Sequence, residues 1–126
     1  KEPRGGGPFQ IMAEALRSVF PDRPPPAPPE GFVALSDPAR LADAMREAGF
    51  VDVDVEQIEA AWEGPAGDAY LEDLKELHPY MGAYAALDAK GRAKVDEAIL
   101  SIVSGSQSEG YVRLRSPVLL ATGARA

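Results

Sequence analysis

Ser116–Ala124 reads SPVLLATGA, and the reading of its middle decides the fold. Val118, Leu119, Leu120 and Ala121 follow one another without a polar break. A strand with one wet face alternates apolar and polar side chains, whereas a strand covered on both faces carries a continuous apolar run. The run therefore predicts a strand in the middle of a sheet, with neighbours on both sides. The strand extends over Tyr111–Ala124, and Pro117 within it predicts a bulge or an irregular start to the paired stretch.

Working backwards, the next strand signal is VDVDVE, Val51–Glu56, where valines and acids alternate strictly. Val51, Val53 and Val55 are expected to share one face and Asp52, Asp54 and Glu56 the other, as at a sheet edge. The strand is predicted to run to about Glu59, with a bulge at Ile58, which breaks the alternation. In front of it lies the clearest helix in the chain. Ser36 or Asp37 caps it, Pro38 occupies its first turn, Leu41, Met45 and Ala48 mark one face, and Gly49 stops it. Further upstream, Phe9, Met12, Ala13, Leu16, Val19 and Phe20 recur at helical spacing after Pro8, so Pro8–Phe20 reads as an amphipathic helix. Six prolines from Pro21 to Gly31 predict an extended, polyproline-like linker.

Between the two strand signals the period is helical. Asp68 is expected to cap a helix that runs through Leu77, with Leu71, Leu74 and Leu77 on a stripe. A short helical piece covers Tyr80–Leu87. Asp88 caps a further helix with Val95, Ile99, Ile102 and Val103 inward. Ser104–Gly110 reads as a turn or mobile loop. The order is helix, linker, helix, strand, helices, strand, which makes an α/β chain. Two strands alone do not make a stable sheet, so at least one strand partner is expected from outside this sequence.

Composition narrows the function classes. With 126 residues the chain has room for one core. A net charge of −7 and a pI near 4.7 make a poor match for phosphate backbones, and no nucleic acid is expected as a partner. Cysteine is absent and there is one histidine, so disulfides, thiolate metal sites and a histidine zinc cluster are not expected. No apolar run approaches a bilayer span, and KEPRGGGPFQ has no signal-peptide core. These features predict a cytoplasmic chain. The missing initiator methionine and loop-like start lead us to expect a piece of a longer protein.

The stretch GFVALSDPARLADAMREAGFVDVDVE, Gly31–Glu56, resembles the C-terminal part of class I S-adenosylmethionine-dependent methyltransferases, in particular those of ubiquinone and menaquinone biosynthesis. In that family a helix ending in A-G-F leads directly into the sixth strand, here an alternating valine strand. GPFQIMAEAL is similar to the segment after the fifth strand, and VRLRSPVLLATGAR to the seventh, which runs antiparallel between the fifth and sixth. The likeness covers nearly the whole chain. It implies a C-terminal fragment of a Rossmann-like sheet, with its last two antiparallel strands, a Pro-rich linker at 21–31 and a helical lid insertion at 65–110. The strand missing beside the apolar run would then be the fifth, upstream of Lys1.

The resemblance also implies a function. The parent enzyme would use S-adenosylmethionine to methylate a small-molecule acceptor. The cofactor-binding half, with its glycine-rich loop and ribose-binding acid, would lie outside this chain. Gly5–Gly7 lacks the fingerprint spacing and follows no predicted strand. This chain alone is expected to hold no cofactor, to be inactive, and to self-associate or pair with the missing N-terminal half. The alternative is a non-enzymatic α/β module that completes a partner's sheet.

Candidate substrate contacts are Phe9, Met12, Trp62, Tyr70, His78, Tyr80, Met81 and Tyr84. His78 beside Tyr80, Met81 and Tyr84 has the chemistry of a general base in an aromatic pocket. The plainer reading is a helix end packed with aromatics. For Phe9 and Met12, which the resemblance sets near the transferred methyl, the plainer reading is a helix core face. For Trp62 and Tyr70 it is packing at a strand end and in a helix. RPPPAPP, Arg23–Pro29, matches the R-x-x-P-x-x-P form of an SH3 ligand but reads first as a stiff linker. Asp52, Asp54 and Glu56 read as a solvated strand face rather than a cation site. Arg113 and Arg115 await either an acidic substrate or an acidic neighbour strand.

Overall fold

The computed structural model describes residues 7–24, 34–105 and 107–126. Its elements are α1 (Pro8–Val19), α2 (Pro38–Glu47), β1 (Phe50–Pro65), α3 (Asp68–Leu74), a 3-10 turn (His78–Tyr80), α4 (Gly82–Ala85), α5 (Ala89–Ser104), β2 (Gln107–Ser108) and β3 (Tyr111–Arg125). The chain is α/β, with one three-stranded antiparallel sheet in the order β1-β3-β2. It divides into two compact units. The first is Lys1–Pro26 with Ala61–Ser116, the second Ala27–Ala60 with Pro117–Ala126. β1 and β3 each contribute residues to both.

The first unit holds the hydrophobic core. α5 repeats Val95, Ile99 and Val103 at a spacing of four, which aligns them on one helix face. All three are fully buried, as are Ile11 and Ala15 of α1, and α1 and α5 form the most extensive helix pair. Tyr70 and Leu74 of α3 and Val112 and Leu114 of β3 complete the same cluster. Asp88 caps α5 as its sequence predicts, accepting from the Gly91 amide at 2.7 Å.

The second unit is a thinner structure. Asp37 caps α2 by accepting from the Ala39 amide at 2.8 Å. Gly49 ends the helix with φ +93°, a backbone that side-chain-bearing residues rarely adopt, and β1 begins at the next residue. Leu41, Met45, Phe50, Val53, Val55, Leu119 and Ala121 are half-buried, and no described residue of this unit is fully buried.

Several expectations need correction. The apolar run is not covered on both faces: Val118 is 41% exposed and Leu120 44%. β3 has β1 along one side, and β2 reaches only its first two residues, pairing Gln107 with Val112 and Ser108 with Tyr111. The alternation of that strand is thus between half-buried Leu119 and Ala121 and exposed Val118 and Leu120; the run is apolar without being enclosed. Ser104–Gly110 is not simply a loop. Glu109 (φ +52°) and Gly110 (φ +81°) form a two-residue turn of left-handed backbone, which matches strand twist and closes the β2–β3 hairpin. Ser106 lies outside the described residues.

β1 runs on to Pro65, past the predicted end near Glu59, and Asp52 within it has a left-handed backbone (φ +52°). Val51 is correspondingly exposed while Val53 and Val55 are half-buried. α3 ends at Leu74 rather than Leu77, and Gly67, not Asp68, occupies its N-cap. The predicted Tyr80–Leu87 helix forms only in part: Tyr80 belongs to the 3-10 turn that carries Pro79, Met81 is extended (φ −85°, ψ 99°), and α4 covers Gly82–Ala85. Most of the proline linker, including nearly all of the SH3-like motif, lies outside the described residues. At its start Arg23 stacks on Phe20, 4.3 Å from the ring centroid.

Candidate functional site

The structure separates the eight candidate residues into three groups. Phe9 (52% exposed) and Tyr80 (86% exposed) point to solvent. Met12 and Met81 are buried in the core of the first unit. The remaining four form two aromatic contacts within that unit.

In the first contact Trp62 of β1 meets Tyr70 of α3 edge to face, with ring centroids 5.5 Å apart at 82°. This is a favoured arrangement for two ring quadrupoles. Tyr70 is fully buried, and its hydroxyl has no hydrogen-bond partner among the described residues. Burial pushes its pKa far above the usual tyrosine value. An orphan buried hydroxyl costs about 1–3 kcal/mol relative to water. Tyr70→Phe removes it while keeping the ring, so we expect a rise of about 1 kcal/mol in stability. A thermal midpoint above that of the parent checks this; a lower one shows that the hydroxyl holds a bond.

The second contact joins the 3-10 turn, α4 and α5. The His78 ring lies 5.4 Å from the Tyr84 ring, tilted by 56°. The Tyr84 hydroxyl donates to Asp96 Oδ1 at 2.8 Å. Arg92, one helical turn before Asp96, donates from Nη2 to the carbonyl of Ala85 at 2.7 Å. Ala85 is the last residue of α4, so this bond satisfies a carbonyl that the helix end leaves unpaired. The Arg92 guanidinium also lies 5.5 Å from the Tyr84 ring centroid, and its Nε is buried without a partner. Hydrogen bonds to a charged group are worth about 1.5–3 kcal/mol, and a cation over an aromatic ring about 0.5–1 kcal/mol. These contacts hold a four-residue helix that would not persist by itself.

The electrostatics of the cluster follow from its burial. The Tyr84 phenol is pushed up to about 12, first by burial and then by its bond to the Asp96 carboxylate, which would repel a phenolate. The His78 imidazole is pushed below its ordinary value because burial disfavours the charged form, with the Asp96 charge acting in the opposite direction. At neutral pH the cluster therefore holds a neutral imidazole and a neutral phenol beside a carboxylate and a guanidinium. His78 is only 4% exposed, so it does not present a base to solvent in this conformation.

Sequence reasoning singled out His78 and Tyr84 but missed Asp96 and Arg92. The two stand at i, i+4 on α5, which sets both on one helix edge, a spacing that surface charges on a helix share. Arg113 has its answer within the chain: Nε lies 3.3 Å from Glu63 Oε1 on the neighbouring strand. Both are largely exposed, and such a pair contributes at most about 1 kcal/mol.

Among the described residues no group of three or more histidine, aspartate or glutamate side chains is arranged to hold a metal ion. None of the described helices is long and apolar enough to cross a membrane. No known protein family and no characterised protein sequence matches the chain.

Proposed function

We propose that this chain is the C-terminal, acceptor-side portion of a class I S-adenosylmethionine-dependent methyltransferase acting on a small molecule. The observation that carries the reading is the strand pairing of β3. Past its first two residues β3 has β1 on one side and no described strand on the other, and it carries its apolar run there. A fifth strand docked on that side would supply the second neighbour. The direct succession of α2, Gly49 and β1, with β1 antiparallel to β3, supports the same reading.

The residues of this chain do not fit the cofactor. Gly7, the last of the three consecutive glycines, is the N-cap of α1, and no described strand leads into it. A dinucleotide-type cradle needs a glycine-rich turn between a strand and a helix. We therefore assign no catalytic step to this chain. In the parent enzyme the bound cofactor would supply an electrophilic methyl group. The contribution of residues such as these would be to orient the acceptor and exclude water.

A second reading rests on the same single described strand neighbour together with exposed Ile58, Val118 and Leu120: a non-enzymatic module that completes a partner's sheet. One calorimetric experiment separates the two. S-adenosylmethionine is titrated into this chain and into the polypeptide extended upstream in its own reading frame. We expect no binding by the chain, binding by the longer polypeptide, and self-association of the chain alone on light scattering. Absence of binding by both, with the association retained, rejects the methyltransferase reading in favour of the module.

A further inference from the structure

We propose that His78–Leu87 is an acid-released flap, docked on α5 while the His78 imidazole is neutral and detached when that ring takes a proton. The inference does not depend on the methyltransferase reading. It starts from the way this segment is held. The 3-10 turn and α4 contain three and four residues, whereas α5 behind them contains sixteen. Their internal hydrogen bonds are few: Met81 to His78, Ala85 to Met81, Ala86 to Gly82 and Leu87 to Tyr84, amide to carbonyl in each case. Anchorage to α5 comes from Tyr84 on Asp96 and from Arg92 on the Ala85 carbonyl. Short elements with few bonds open locally at far lower cost than the whole domain.

Into this segment the sequence places the chain's one histidine, 4% exposed and packed against the Tyr84 ring. A protonated imidazole has two donors and needs acceptors or water for both. The charged groups facing the ring come from α5. Asp96 attracts a proton to His78 but already accepts the Tyr84 hydroxyl, while Arg92 over the Tyr84 ring repels it. From α4 the ring faces the Tyr84 phenol, which is neutral well past physiological pH. Swinging out to water solvates the cation fully, and it uncovers Met81 and Tyr84, both buried in the docked state.

The sign of the pH effect is fixed. Burial lowers the docked-state pKa of His78 below its free value, more strongly than Asp96 raises it. The open state then binds more protons, so docking is unaffected above the free value of about 6.5 and weakens as pH falls through it. For one such group the opening equilibrium grows by up to about 25-fold between pH 7 and pH 5.

The test is nuclear magnetic resonance on the whole chain, in which the single histidine gives an unambiguous titration. Amide exchange is measured in parallel as protection factors corrected for intrinsic pH dependence. We expect His78 to titrate below 6.5. We expect the amides of Met81, Ala85, Ala86 and Leu87 to lose protection on acidification, up to that 25-fold limit, while Ile99 and Val103 keep theirs. His78→Gln should make the four flap amides insensitive to pH over this range. Should that variant not fold, Asp96→Asn provides the second arm and should move the His78 midpoint further down. Titration of His78 at or above 6.5, flap protection unchanged between pH 7 and 5, or a parallel loss throughout α5 would each overturn the proposal.

Discussion

Ile99→Ala is expected to remove about 3–4 kcal/mol of stability. Ile99 is fully buried midway along the apolar face of α5, between Val95 and Val103. The same face packs on α1, where Ile11 and Ala15 are also fully buried. Rigid helices on both sides prevent collapse into the space left by the lost methyl and methylene groups, so the cavity cost adds to the transfer cost. Domains of ordinary stability have about 5–15 kcal/mol in all, so the variant should be close to unfolding at physiological temperature. Urea titration followed by far-ultraviolet circular dichroism measures it. A change below about 1 kcal/mol would mean that α5 does not pack as described.

Gly64→Ala is expected to cost about 2–3 kcal/mol through a different mechanism, overpacking. Gly64 is buried, and a Cβ there would collide with Cη2 of the Trp62 indole and stand 2.7 Å from its Cζ2. The indole is the group that meets Tyr70 edge to face. An added methyl must push it off that contact or bend β1. Loss of the near-ultraviolet tryptophan signal, together with a lower urea midpoint, is the predicted result. A double-mutant cycle isolates the cause: with Trp62→Leu already present, Gly64→Ala should cost less than about 0.5 kcal/mol. An equal cost in both backgrounds would place the strain in the strand itself.

How much of this was legible beforehand depends on whether the signal was local. The Asp37 cap, Pro38, Gly49 stop and succeeding valines lie within one contiguous stretch, and each acts through its own backbone, so α2 and the start of β1 were readable. The core face of α5 was readable because a spacing of four has one geometric meaning on a helix. The fate of Val118–Ala121 was not, because an apolar run states what a strand would gain from cover and not whether cover is present. β2 escaped notice because Gln107 and Ser108 are polar and its turn uses Glu109 where glycine, asparagine or aspartate is usual. At the candidate site the aromatics were visible as residue types. Asp96 and Arg92 were not, since on a helix of mixed charge nothing local distinguishes a carboxylate bound to a tyrosine from one bathed in water.

The uneven distribution of buried side chains between the two units has a thermodynamic corollary. Heat capacity of unfolding scales with apolar surface brought into water, and the described residues of the second unit, none of them fully buried, have less of it to release than the core of the first. A calorimeter would therefore weigh mainly the half built on α1 and α5. Emission from Trp62, the chain's sole indole, reports on that same half. Agreement between the two signals would not make the transition a single step: the ribbon of β1 and β3 could already have come apart at a lower temperature, unseen by either.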